Sequence, residues 1–165
     1  MLRRRRKAAL AASLFTLLLL GGAAAAPALT SQPIRYNHNV HVVAYKMDCR
    51  FCHSSSMKTA SAGIPPVEKC MICHRVIAVD HPEIKKIAQY WKEKKPIPWV
   101  RVTELPDYVY FPHFRMVGAG IACLTCHPGM DKVDVAVQEQ EFTMGFCLKC
   151  HKARGVSIEC WSCHI

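Results

Sequence analysis

The chain has 165 residues, with ten cysteines, nine histidines and a formal net charge of +10 at pH 7. That length holds one or two small domains and no more. Five of the positive charges stand in one run, Arg3 to Lys7, so the basic balance does not by itself argue for a nucleic-acid partner.

Residues 1–27 form a separate head. The basic run precedes nineteen uncharged residues, Ala8 to Ala26, at the lower limit for a helix that spans a bilayer. A secretory signal peptide has the same order of basic end, apolar middle and small residues. Ala24-Ala25-Ala26 would be its cleavage site, but Pro27 beside it disfavours cleavage, and a single N-terminal transmembrane helix is the expectation. Under either reading the arginines stay in the cytoplasm and the rest of the chain is exported. Residues 28–35 read as a short linker without periodicity.

From Tyr36 the chain repeats itself. The stretch YNHNVHVVAYKMDCRFCH (36–53) and the stretch FPHFRMVGAGIACLTCH (111–127) share a layout. An aromatic residue leads into a histidine, an apolar loop follows, and the stretch closes on Cys-x-x-Cys-His. The first copy carries His38 and His41; the second carries His113 and, in the place of His41, Met116. Each copy is followed by another Cys-x-x-Cys-His, 21 residues later in the first case and 24 in the second. This organisation predicts a two-site module over 36–74, a segment without such a motif over 75–110, a second two-site module over 111–151, and a terminal site over 152–165.

Within 75–110, HPEIKKIAQYWKEKK (81–95) predicts a helix. Pro82 suits the first helical position. Ile84, Ile87, Ala88 and Trp91 make one apolar stripe, and lysines gather in the last turn, where the helix dipole favours them. The proline-broken stretch PIPWVRVTELPDYVYFPHF reads as extended segments, with an edge strand among them, and as a docking surface for another subunit.

The ten cysteines fall into five pairs, each followed by histidine: Cys49 and Cys52 with His53, Cys70 and Cys73 with His74, Cys123 and Cys126 with His127, Cys147 and Cys150 with His151, Cys160 and Cys163 with His164. Cys-x-x-Cys-His is the attachment motif of c-type haem. Two thiols reach the vinyl groups on one porphyrin edge, and the next residue turns its imidazole onto the iron. Zinc sites need four ligands and leave one of five pairs unmatched. Redox pairs do not require the trailing histidine, and an exported disulfide scaffold has no use for it. The expected cofactors are therefore five covalently bound haem c groups. About 135 residues around five haems cannot build an ordinary apolar core, so the expected fold is mostly irregular, with a few short α-helices wrapped around the haems. Ten propionates would offset much of the positive charge.

With His53, His74, His127, His151 and His164 as proximal ligands, His38, His41, His81 and His113 remain for five distal positions. Histidine cannot fill them all. A His-x-x-His ahead of an attachment motif commonly serves two irons, so His38 and His113 are expected to serve the haems just downstream and His41 a neighbouring one. Met116 and Met144 are candidate thioether ligands, which raise the reduction potential relative to two histidines; Met57 and Met130 are weaker candidates. Packing is the competing role for each methionine, and a helix start the competing role for His81.

The spacing of the five motifs, the stretch AGIPPVEKCMICH and above all IPWVRVTELPDYVYFPHF resemble the pentahaem cytochrome c subunit of bacterial alternative complex III, over most of residues 33–164. Members of that family often carry histidine where Met116 stands. The resemblance implies an electron-transfer subunit, not itself an enzyme. It would pass electrons from a quinol-oxidising membrane complex to a periplasmic acceptor, anchored at its N-terminus with the haems on the outer face of the cytoplasmic membrane. It also implies as partners an iron–sulfur subunit, polytopic quinol-binding subunits and a monohaem cytochrome c. The alternative is a free or singly anchored multihaem carrier that feeds a reductase. A multihaem enzyme such as a nitrite reductase would need an open iron position with acid–base groups beside it, and the spare histidines argue against that.

Overall fold

The computed structural model describes residues 32–137 and 140–165. The expected anchor at 1–27 lies outside the described residues. Among them no helix is long and apolar enough to cross a membrane.

The described chain is irregular backbone punctuated by short helices: α1 Cys49–Cys52, α2 Val67–His74, α3 Pro82–Glu93, α4 His113–Gly118, α5 Cys123–Cys126 and α6 Met144–Arg154. A π-helical turn spans Asn39–Ala44, and 3-10 turns span Ser54–Met57, Met130–Lys132 and Cys160–Ser162.

Helix α3 forms where the apolar period predicts it. His81 is its N-cap, with Nδ1 accepting from the Glu83 N–H at 3.2 Å. Pro82 follows at the first helical position, where its missing N–H costs nothing. Ile84 and Ile87 face inward, while Trp91 at the end of the stripe is 41% exposed. The helix stops at Lys94, whose left-handed φ of 53° turns its N–H back onto the Tyr90 and Trp91 carbonyls.

Helix α2 starts after extended Pro66 and buries Val67 and Met71, four residues apart on one face. It packs on α3. Together with Ile34 and Ile97 these side chains form a core of six buried apolar residues, among the described ones, which is small for a chain of this length. Gln32 ties the entering chain to the other side of this core, with its amide bonding the Val100 carbonyl and N–H at 2.8 and 3.1 Å.

The segment after Pro96 differs from expectation. It is extended, but the described residues hold no strand there, only a single antiparallel bridge between Val109 and His164. The Tyr110 N–H donates to the Cys163 carbonyl at 2.8 Å and the Ile165 N–H to the Tyr108 carbonyl at 3.3 Å. Prolines 96, 98, 106 and 112 remove backbone donors at short intervals, which denies a ladder any length.

The two repeats interlock. Helix α4 of the second packs on the Ser54–Met57 turn of the first. The His113 N–H donates to the Ala60 carbonyl at 3.0 Å, and the His38 N–H to the Val133 carbonyl at 2.9 Å.

Ile87, 4% exposed in the core that joins α2 and α3, should be among the residues whose truncation costs most stability. Ile87→Ala is expected to destabilise the protein by about 3 kcal/mol, read as a lowered denaturant midpoint with the visible spectrum of the native state unchanged.

Candidate haem-binding site

Each cysteine pair lies on a single helical turn. The pairs of α1 and α5 are those whole helices. The pairs of α2 and α6 lie within them, and the last begins the Cys160–Ser162 turn. Residues three apart on a helix project from one face, so both thiols of a pair point the same way. The turns are fixed locally. Asp48 caps α1, its carboxylate accepting from the Arg50 N–H at 2.8 Å; Arg50 holds that carboxyl down at about 2. Thr143 caps α6 through the Phe146 N–H at 3.2 Å. The histidine N–H then closes the turn onto the first cysteine's carbonyl, from His53 to Cys49, His127 to Cys123 and His164 to Cys160, each at 2.9 Å.

All ten cysteines are free thiols. Among the described residues no three His, Cys, Asp or Glu side chains are grouped so that they could hold a metal ion.

The histidines are held by main-chain carbonyls. Nδ1 of His53 donates to the Gly63 carbonyl at 2.7 Å, that of His74 to Ile77 at 3.0 Å and that of His151 to Ser157 at 2.7 Å. Among the candidate distal residues, Nδ1 of His41 donates to Asn37 at 2.8 Å and that of His113 to Ala60 at 2.7 Å. A carbonyl can only accept. The proton therefore sits on Nδ1, and Nε2 presents its lone pair, which is the arrangement of a metal-binding imidazole.

Two distal–proximal pairs face each other directly. The ring centres of His113 and His127 are 6.5 Å apart with planes within 6°. Those of His41 and His74 are 6.1 Å apart at 69°. An imidazole nitrogen binds a metal at about 2 Å and its ring centre lies about 1 Å behind, so two axial imidazoles on one metal put ring centres roughly 6 Å apart. His38 lies within electrostatic reach of His53, and burial, then His53 and His41, lower its pKa to about 4. It stays neutral at physiological pH, and its buried Nδ1, unlike that of the other candidates, has no hydrogen-bond partner. Burial also lowers the pKa of His127, with His113 and His53 adding to the effect.

The remaining candidates sit apart from these pairs. His81 is exposed and its Nδ1 accepts the cap bond of α3, which leaves the proton on Nε2. Met116 is half-buried on α4, one turn from His113. Met144 begins α6 and is 66% exposed. Tyr108 stacks on His164 at 5.9 Å.

Thiols of different motifs lie side by side. The Cys49 thiol lies near that of Cys123, and burial and this neighbour raise its pKa. Burial raises the Cys70 thiol, and the nearby Cys52 adds to it. Cys126 is raised by burial and then by Cys150 and Cys147. Cys147 is raised by burial and then by Cys163. The attachment turns are therefore neighbours in pairs: second with first, first with third, third with fourth, and fourth with fifth.

Sequence reasoning missed two kinds of partner. One is the carbonyls of Ala60, Gly63, Ile77 and Ser157, which leave no trace in residue type. The other is the aromatic residue two places before the first histidine of each repeat, which is visible in the sequence. Tyr36 meets His38 edge-on at 4.7 Å and 82°, and Phe111 meets His113 edge-on at 4.9 Å and 87°. Tyr36 also stacks on His41 at 4.5 Å, and its hydroxyl pairs with the Cys52 thiol.

These residues fit haem c. The thiols are paired, free and co-facial, and imidazoles oppose each other at axial spacing. Several apolar side chains inside the motifs face outward, with Phe51 41%, Ile72 53% and Leu124 43% exposed, while Met71 turns into the core. Porphyrin edges would cover such surface.

No family model matches the chain. Over 97 residues, 58% of this chain, it is 37% identical to the multiheme cytochrome c subunit of menaquinone reductase from Nitratidesulfovibrio vulgaris. The match spans 45% of that relative, less than half its length.

His113→Ala should open one axial position. The expected result is that one haem turns from low to high spin in the electron paramagnetic resonance spectrum, while covalent haem content stays at the wild-type value. A spectrum with no added high-spin signal would remove His113 from the ligand set.

Proposed function

We propose that this chain is an electron-transfer subunit carrying five covalently bound haem c groups. It relays electrons between the quinone pool of a bacterial cytoplasmic membrane and an acceptor on the outer face. The observation that carries this reading is the set of carbonyl-fixed imidazoles, with His41 opposite His74 and His113 opposite His127 at axial spacing, beside five thiol pairs. Bound haem supplies a one-electron centre whose potential follows from its axial ligands.

The residues divide the work. Cys49, Cys52, Cys70, Cys73, Cys123, Cys126, Cys147, Cys150, Cys160 and Cys163 form the thioethers. His53, His74, His127, His151 and His164 ligate from the proximal side; His38, His41 and His113 ligate from the distal side. His81 serves as a helix cap. The row of attachment turns makes the second and fifth motifs the ends of the relay. The fixed imidazoles keep ligand geometry the same in both oxidation states, which keeps the reorganisation accompanying each transfer small.

The partners follow from two likenesses. The resemblance to the pentahaem subunit of alternative complex III suggests an iron–sulfur subunit, polytopic quinol-binding subunits and a monohaem cytochrome c. The relative's place in a menaquinone reductase supports the quinone link. The head at 1–27 serves as the anchor, and the direction of flow is outward from quinol.

The test is to extract native membranes gently, capture this chain with whatever accompanies it, and add a reduced menaquinol analogue. The expected result is co-purification of polytopic membrane subunits and reduction of the haems, seen in the visible bands. Haems that ignore the quinol but become oxidised on adding menaquinone would reverse the direction. A lone chain released without detergent would replace the relay subunit by a soluble carrier.

A further inference from the structure

The two repeats match in geometry beyond their cysteines. In each, an aromatic residue sits edge-on to the histidine two places later, at 4.7 and 4.9 Å. The residue three places after that histidine is His41 in one and Met116 in the other. Their backbone carbonyls are used alike. The His41 carbonyl accepts from the Met47 N–H at 3.0 Å, and the Met116 carbonyl from the Ile121 N–H at 3.1 Å. Met47 and Ile121 each stand two residues before the first cysteine of their motif. Position 116 is thus the structural counterpart of position 41.

The repeats differ in length by one residue between histidine and cysteine. The extra residue is taken up where the first repeat winds as a π-turn, Asn39–Ala44, and the second as the ordinary helix His113–Gly118. A π-turn is how a helix absorbs one inserted residue without losing the register on either side. The insertion falls after His41, so it leaves the His38–His41 spacing equal to the His113–Met116 spacing.

The role of His41 is read directly: it faces His74, the proximal histidine of the following motif. The motifs are also neighbours in the same way in both repeats, with Cys52 beside Cys70 in the first and Cys126 beside Cys147 and Cys150 in the second. The following motif of the second repeat ends in His151. Its Nδ1 is bound to the Ser157 carbonyl, so Nε2 is presented as in His74. With His38, His41 and His113 engaged opposite other motifs and His81 capping α3, a sulfur donor suits the place opposite His151.

We propose that Met116 supplies, through its Sδ, the sixth ligand of the haem bound by Cys147, Cys150 and His151. This rests on the reading of the five motifs as haem sites. It makes the fourth site His/Met in a row whose three preceding sites are His/His. Because a thioether holds the reduced iron better than an imidazole does, the fourth site has the highest potential of those four. Electrons entering at the second motif would come to rest at the fourth.

The experiment uses the purified haem-loaded chain, whose haem content is measured first. Fewer than five haems in the wild type contradicts the site reading itself, before any ligand is at issue. With five present, the oxidised protein is expected to show the red charge-transfer band of iron–thioether ligation. Met116→Leu should lose that band and turn one site high-spin. Met116→His should lose the band, gain no high-spin signal over the wild type, and shift one midpoint potential downward. Cys147→Ser with Cys150→Ser should remove the band together with one haem. Met144→Leu should leave it intact. A wild type with five haems and no band overturns the proposal, as does a band that survives in Met116→Leu or disappears in Met144→Leu. A band that survives removal of the fourth haem assigns the sulfur to another iron and overturns it equally.

Discussion

A neutral imidazole has one proton for two nitrogens, and whatever takes the proton decides which nitrogen can bind a metal. Here the main chain takes it. Carbonyls of Asn37, Ala60, Gly63, Ile77 and Ser157 each hold an Nδ1 proton at 2.7–3.0 Å. That single interaction sets ring orientation and frees Nε2. It also helps explain how so irregular a chain can be specific. The loops after the first, second and fourth motifs each bring a carbonyl to the histidine of that motif.

A second constraint is the shortage of apolar core. Six buried residues hold α2 against α3, and the rest of the described chain is arranged around turns that expose their apolar side chains. The repeats compensate by interlocking. His113 of the second repeat is anchored by both its N–H and its Nδ1 to the Ala60 carbonyl of the first, so its placement depends on the fold of the other repeat.

Much of this could be read from residue order. The five Cys-x-x-Cys-His runs and the helix from Pro82 follow from spacing and period. The ring of His113 lies near that of His127, and the ring of His41 near that of His74. Other features were hidden for physical reasons. Histidine type does not reveal which carbonyl will reach its ring, because that depends on loop closure. His81 lies where ligand and helix cap look alike in sequence, and only the bond to the Glu83 N–H separates them. The strand expected near Tyr108 shrank to one bridge because β-propensity at Val109 and Tyr110 was set against proline at 106 and 112. The equivalence of His41 and Met116 was visible as a pattern. The one-residue offset became intelligible only once the π-turn appeared.

The central claim is that these ten thiols and their histidines bind five haems covalently. The most direct measurement is the mass of the chain after export in a host that matures c-type cytochromes, taken under denaturing conditions that strip every non-covalent group. A mass higher than the polypeptide's by five haems is the expected result. A mass equal to the polypeptide, or lower by the hydrogens of disulfide bonds, would contradict it and return the cysteines to a disulfide or metal role.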